Sequence, residues 1–218
     1  DFEVFSLSEE GFIFCSGSSL YQYLFHGQDC KKILDLLAYG IFPEDILYLG
    51  FWDETFEIVD NYRKGGYSEY TQLKMGEDEK SILRLGTLQI SGGLEQIVTE
   101  FNRYQDDIRI EVVDYYEDGH FEEGIEQLKL DIVKGTAPDV LDVSMIDYQF
   151  LAAKGALVDL YEYMGQDEMC GRSMLQENIL NAYEVNGKLF SIAPAFQIYS
   201  MWGKNSLTGG RHGISVQE

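Results

Sequence analysis

The residue types able to do chemistry are unevenly supplied in this chain. Of its 218 residues, 38 are Asp or Glu, 16 are Lys or Arg, three are His and three are Cys. Paired carboxylates recur, as in Glu122-Glu123 and in Asp139 with Asp142, and general acid–base work needs such pairs. At this density most of them must be solvated surface, so no acid/base couple stands out and no catalytic residue is assigned. His26, His120 and His212 lie far apart, none with a second ligand at metal spacing, so no metal site is expected. Cys15, Cys30 and Cys170 also lack ligand spacing. Cys15 and Cys30 would pair if adjacent strands brought them together; three unpaired thiols is the plainer expectation. The chain has no Gly-x-Ser-x-Gly elbow, no phosphate loop and no Gly-x-Gly-x-x-Gly fingerprint, and no cofactor is implied.

What remains is the chemistry of polar and aromatic groups held at a sheet edge. Ile82–Leu88 reads as a strand, and Leu94, Ile97, Val98, Phe101 and Tyr104 fall at helical spacing after a Ser91 cap. Ile108–Val113 is a second strand. A second helix follows, opened by Asp118-Gly119 and striped by Phe121, Ile125, Leu128 and Ile132. Gly135 suits its C-cap, because the residue past the last turn often takes φ > 0. Pro138 cannot continue the helix, and Val140, Leu141 and Val143 read as a short buried strand ended by Ser144. A β-α-β-α-β order with crossovers of this length predicts parallel strands, and ligands bind beyond the carboxyl ends of such strands.

That edge selects Gln89, Ser91, Tyr115, Tyr116, Ser144 and Asp147, with Phe196 from a later extended segment, as candidate substrate-binding residues. Aromatics would stack on a sugar ring, while Gln89, Ser144 and Asp147 would bond hydroxyls. Each has a plainer role. Ser91-Gly92-Gly93 is a cap before it is an anion site, and Asp147 is an N-cap for a helix over Tyr148–Ala153. One of the two tyrosines is packing or lid, and Phe196 is core by composition.

Residues 1–78 differ. Phe2–Phe5, Gly11–Cys15, Leu20–Leu24, Asp45–Phe51, Thr55–Val59 and Tyr67–Leu73 are short aromatic-rich strand candidates, with turns at Ser16–Ser19 and Trp52–Glu54. Lys31–Tyr39 fits a strand or a helical turn equally. The charged run Gly76–Lys80 suggests a boundary, giving an antiparallel β region over 1–78 and an α/β region over 79–218. Further helices are expected over Leu157–Met164 and Ser173–Tyr183, then a turn at Asn186-Gly187 and strand over Lys188–Ile192. The segment 206–218 has no core pattern.

Composition is globular, 45% hydrophobic and 25% charged. The net charge of −22 repels phosphates and anionic lipid head groups, which argues against nucleic acid and such membranes as partners. No basic start leads into an apolar core, and the chain opens directly in strand-like sequence, as a processed or truncated fragment would.

Five motifs in order resemble a known family. Gly135-Thr136-Ala137-Pro138-Asp139-Val140 looks like the "aGtaPDv" signature of extracellular solute-binding proteins of ABC importers, carbohydrate type. Phe101-Asn102 resembles the family's "F-n-x-x-y" element, and Ile108–Val113 its "I-x-V-E-V" strand. Lys154–Leu160 resembles "kGaLvDL", and Asn186–Pro194 "dGKlYaiP". The likeness spans about 82–205. It implies the first lobe of a type II periplasmic-binding-protein-like fold that binds a sugar without catalysis. It also implies delivery to an ABC permease and an extracellular, membrane-anchored lipoprotein. Leu20–Tyr23, Ile33–Asp35 and Ile46–Leu49 resemble closing blades of a β-propeller fused ahead of some such proteins. Two rival readings stand beside this one: a β-mediated protein interaction module, and a glycan-acting hydrolase if two buried carboxylates share a cleft.

Overall fold

The computed structural model describes residues 3–7, 11–27, 29–62, 67–74, 80–116, 120–164 and 171–193. Asp118-Gly119, Cys170, Phe196, His212 and everything from Pro194 onward lie outside the described residues. The chain divides into two compact units, Asp1–Ile146 and Asp147–Glu218, and the fold is mixed α/β.

The first unit opens with two antiparallel meanders. Strands β1 (Glu3–Leu7), β2 (Gly11–Ser16), β3 (Ser19–Leu24) and β4 (Asp29–Asp35) pair in chain order, and so do β5 (Ile46–Trp52), β6 (Thr55–Tyr62) and β7 (Tyr67–Lys74). Period-2 alternation sets their faces: Gly11, Ile13 and Cys15 are buried while Phe12 and Phe14 point the other way. Ile13, Cys15, Leu20 and Leu34 of the first sheet share one core with Leu49, Phe56 and Ile58 of the second. The Asp53-Glu54 connection has φ of 53° and 59°, the two left-handed residues a tight hairpin turn requires, without a glycine. Lys31–Tyr39 resolves into both of its readings, a strand followed by a 3-10 turn over Leu37–Tyr39 that ends at Gly40 with φ 71°. Cys15 and Cys30 are free thiols, because β3 separates their strands: Cys15 registers with Leu20 and Cys30 with Tyr23.

The rest of the unit is a three-stranded parallel sheet in the order β10-β8-β9, from β8 (Ser81–Thr87), β9 (Ile108–Asp114) and β10 (Val140–Leu141). Helix α1 (Gly92–Tyr104) joins β8 to β9, and α2 (Phe121–Lys134) joins β9 to β10. Ser91 caps α1 by accepting the Leu94 N–H at 3.3 Å. Gly135 ends α2 in the left-handed region, φ 72°. The strand expected over Val140–Val143 is shorter than its apolar run and is not buried, Val140 being 43% exposed. The cause is position: among the described residues β10 pairs with β8 alone. Asp139 helps hold it, since its carboxylate accepts the Arg84 N–H of β8 at 2.8 Å.

The stripe expected on α1 is only partly the buried face. Val98 is buried against Leu85 and Leu37, whereas Ile97 and Tyr104 are 54% and 64% exposed. Their place is taken by Asn102, only 3% exposed. Its side-chain amide donates to the carbonyls of Leu37 (2.7 Å) and Ile110 (2.8 Å), and its oxygen accepts the Ile110 N–H at 2.7 Å. Next to it, the Arg103 guanidinium binds both oxygens of Asp60, which is 1% exposed, and Glu69 at 2.6 Å. Burial pushes the Asp60 carboxyl up, Arg103 draws it back down, and Glu69 and Asp45 push it up again. Residues on both sides of position 78 are therefore bonded within one compact unit.

In the second unit, α3 (Tyr148–Ala153) ends near Gly155, followed by α4 (Tyr161–Met164), α5 (Glu177–Tyr183), β11 (Glu184–Val185) and β12 (Lys188–Leu189). Met164, Leu180 and Leu189 form its core. The helix expected from Leu157 is confined to Tyr161–Met164, where the Asp159 carboxylate accepts the N–H groups of Tyr161 and Leu189 and takes over the start. The helix expected over Ser173–Tyr183 is broken: a 3-10 turn at Arg172–Met174 gives way to extended Leu175, ψ 153°. Asn186-Gly187 turns as expected, with φ of 55° and 76°, but only Lys188 and Leu189 of the following run form strand.

Truncating Asn102 leaves the part-buried Ile110 N–H and carbonyl without their partner, whereas the Leu37 carbonyl keeps the Gly40 N–H at 3.0 Å. Each such group costs about 1–3 kcal/mol, so Asn102→Ala should destabilise the protein by roughly 3 kcal/mol in urea unfolding. A loss below about 1 kcal/mol would mean that the amide does not hold α1 in place.

Candidate functional site

β8 and β9 are in register from Ser81↔Ile108 to Thr87↔Asp114, and Leu141 pairs with Gly86. The carboxyl ends of the three strands therefore finish side by side. Gly86 permits the close fit at β10: a Cβ there would come within 2.7 Å of the Pro138 ring. Just beyond this edge the chain places Gln89, Ser91, Tyr115, Tyr116 and Ser144.

A hydrogen-bond node ties three of these together. Thr87, fully buried, donates its hydroxyl to Asp142 (3.2 Å) and accepts the Gln89 N–H (3.2 Å). Its carbonyl accepts the Tyr115 N–H at 2.9 Å. Asp142, past the end of β10, uses its second oxygen to accept the Ser144 N–H at 3.0 Å. Asp114 does the same at the end of β9, accepting the Tyr116 N–H at 2.9 Å. Gln89, Ser91 and Ser144 are exposed, and both tyrosines are half-buried. Ser91 is occupied as the α1 cap. The edge thus offers amide and hydroxyl groups beside aromatic rings, chemistry suited to a neutral polyhydroxylated solute.

Tyr115 and Tyr116 are held differently. The Tyr115 hydroxyl donates to Asp131 on α2 at 2.9 Å, and Gln127 donates to the other Asp131 oxygen at 2.9 Å. Its carbonyl lies against Gly124, where a Cβ would approach to 2.2 Å. Burial, then the bond and the charge of Asp131, push the Tyr115 phenol up to about 12. Asp147 belongs to the second unit and caps α3, accepting the Phe150 N–H at 3.1 Å. Phe196 lies outside the described residues.

Sequence reasoning passed over Thr87, Asp114, Asp131 and Asp142. The two strand-ending aspartates had a readable signal: Asp-x-x sequences in which the carboxylate takes the N–H two residues on. The bonds that join Thr87 to Asp142 and Asp131 to Tyr115 had none, since those partners are 55 and 16 residues away.

Elsewhere in the first unit, a cavity of about 380 Å³ is lined by Tyr39, Glu69, Lys74, Lys80, Arg103 and Arg109, among others. Its arginines are engaged: Arg103 with Asp60 and Glu69, Arg109 with Glu111 at 2.7 Å and over the Tyr39 ring at 5.0 Å. The second unit has an apolar cavity of about 150 Å³ lined by Met174, Leu175, Ile179, Tyr183 and Ile192, among others. Neither is lined by the sheet-edge candidates. Among the described residues no group of three or more His, Cys, Asp or Glu is placed to hold a metal ion, and no helix is long and apolar enough to cross a membrane.

Because the folded-state value of Tyr115 lies above the ordinary 10, the unfolded chain loses that proton first. The stability linked to it is whole below about pH 10 and falls as pH rises towards 12. Wild type should lose more stability than Tyr115→Phe between pH 9 and pH 11.5 in denaturant titrations. Equal losses would show that the Tyr115–Asp131 bond is absent in solution.

No family model matches the sequence, and no curated protein matches it. Among solved structures, an ABC substrate-binding protein from Listeria monocytogenes in complex with cycloalternan is similar to it, with a TM-score of 0.40 and 25% sequence identity. The similarity covers 50% of this chain and 28% of that one.

Proposed function

We propose that this chain binds a small solute, a carbohydrate, without chemical conversion, and serves ABC-type import by delivering it to a membrane permease. The observation that supports this reading best is the flush carboxyl edge of the parallel sheet. Gln89, Tyr115 and Ser144 are bonded to the Thr87–Asp142 node there, with Tyr116 next in the chain, and ligands meet open α/β sheets at such edges. The ordered motif set from Phe101-Asn102 to Asn186–Pro194 supports the same reading from the sequence side. On this proposal residues 79–218 belong to the first lobe of a type II periplasmic-binding-protein-like protein, acting outside the cell and anchored to its surface. Residues 1–78 form a propeller-blade-like region packed within the same compact unit as the parallel sheet, a reading supported by two consecutive meanders in chain order.

An aromatic face favours the interaction module as second reading. Phe12 and Tyr23 are 5.3 Å apart, Phe14 and Tyr21 stack at 5.4 Å, and Phe25 beside them is exposed. Concentration-dependent self-association lost in Phe25→Ser would support it.

The solute reading is tested by thermal shift and calorimetry of the full chain against mono- and oligosaccharides, cycloalternan included. A ligand at about 100 times its Kd stabilises the native state by about 2.7 kcal/mol, so a binder should raise Tm by several degrees. Gln89→Ala should weaken it about tenfold, and Tyr116→Ala should abolish it. A flat response to every sugar with a hit among peptides would replace the substrate class.

A further inference from the structure

Two adjacent tyrosines follow β9, and the structure assigns them different jobs. We propose that Tyr115 is a positioning residue, tethered by Asp131 and Gln127 so that the β9–α2 turn is held still, and that Tyr116 is the ring the solute meets. The proposal rests on the solute-binding reading of this edge and deepens it.

Tyr115 is constrained from three directions. Its N–H is bound by the Thr87 carbonyl at 2.9 Å, which continues the β8–β9 pairing by one residue. Its carbonyl faces Gly124 of α2, where only a residue without a Cβ leaves room. Its hydroxyl reaches one oxygen of Asp131, and Gln127, one turn earlier on α2, donates to the other. Asp131 is itself half-buried on α2, and the Thr136 N–H binds its carbonyl at 2.9 Å, so the anchor belongs to the helix end that Gly135 closes. The polar tip of Tyr115 is thus directed at α2.

Tyr116 is bonded through its backbone, its N–H going to Asp114 at 2.9 Å. Its hydroxyl makes no hydrogen bond among the described residues. A ring held by its backbone, with its hydroxyl available, can both stack on a sugar face and exchange a hydrogen bond with a ring substituent. Holding the neighbouring residue fixed before binding lowers the ordering cost of that contact.

The test places a reporter at the ring in question. In the full chain with Trp52→Phe and Trp202→Phe, Y116W gives a single indole whose time-resolved anisotropy reads local motion, and maltotriose titrated into the same sample reads binding. Adding Asp131→Ala or Tyr115→Phe should introduce fast local motion at position 116 well below the melting temperature. The same variants should weaken maltotriose binding about five- to tenfold. Asp131→Asn, which keeps an acceptor oxygen for the phenol, should restore most of the order. In the wild-type background Tyr116→Ala should lose maltotriose binding altogether. A merely structural bond would lower the melting temperature and leave the indole as still as before; that outcome overturns the proposal. Tyr115→Phe weakening binding more than Tyr116→Ala does would overturn it as well. Failure of maltotriose and the other sugars to bind the parent would sink the solute reading alone, because the anisotropy decides the positioning role without ligand.

Discussion

One buried amide holds the first unit in order. Asn102, near the end of α1, satisfies the Ile110 N–H and carbonyl, which would otherwise be stranded, and gives the Leu37 carbonyl of the 3-10 turn a second donor beside the Gly40 N–H. An apolar residue there would leave the two Ile110 groups without partners, at the desolvation cost of each. Arg103 extends the same connection to Asp60 and Glu69 in the second antiparallel sheet. Together the two residues fix the helix end against elements that lie more than 30 residues earlier in the chain. Everything at the carboxyl edge of the parallel sheet depends on that docking, since α1 returns the chain to β9 and so sets where Tyr115 and Tyr116 emerge.

The second constraint is local to the joint between α2 and β10. Gly135 turns the chain in a conformation other residues resist, and the Thr136 N–H closes back on Asp131. Pro138 packs over Gly86, and Asp139 takes a β8 N–H from the side. Gly135, Thr136, Pro138, Asp139 and Val140 of the signature thus serve the geometry of the turn that brings β10 alongside β8. Its value for reading function is indirect: it delivers Asp142 and Ser144 to the sheet edge, where the Thr87 hydroxyl waits.

The chemistry at that edge suits the electrostatics of the whole. A chain with net charge −22 surrounds any ligand with a repulsive field for anions. The exposed groups beyond the strands are amide, hydroxyl and phenol, which discriminate by hydrogen-bond geometry and shape. The carboxylates nearby, Asp114, Asp131 and Asp142, are engaged by N–H and O–H donors of the chain itself.

Strand and helix identities, the parallel β-α-β-α-β order, the Ser91 and Asp147 caps and the Gly135 and Asn186-Gly187 turns were legible in the sequence. These follow from local physics: side-chain periodicity, caps reaching three residues and glycine at positive φ. Where reasoning over short spans failed, a partner distant in sequence had intervened. Val140 is exposed because β10 pairs with β8 alone among the described residues, Ile97 yields its place to Asn102, and the helix before Tyr183 breaks at Leu175. Periodicity alone identified which loops leave the carboxyl edge of the parallel sheet, because parallel strands all end on one side. Only the tertiary structure decided which of Tyr115 and Tyr116 is tied to α2. That choice depends on Asp131 lying one helix away, within 2.9 Å of a phenol that no spacing rule connects to it.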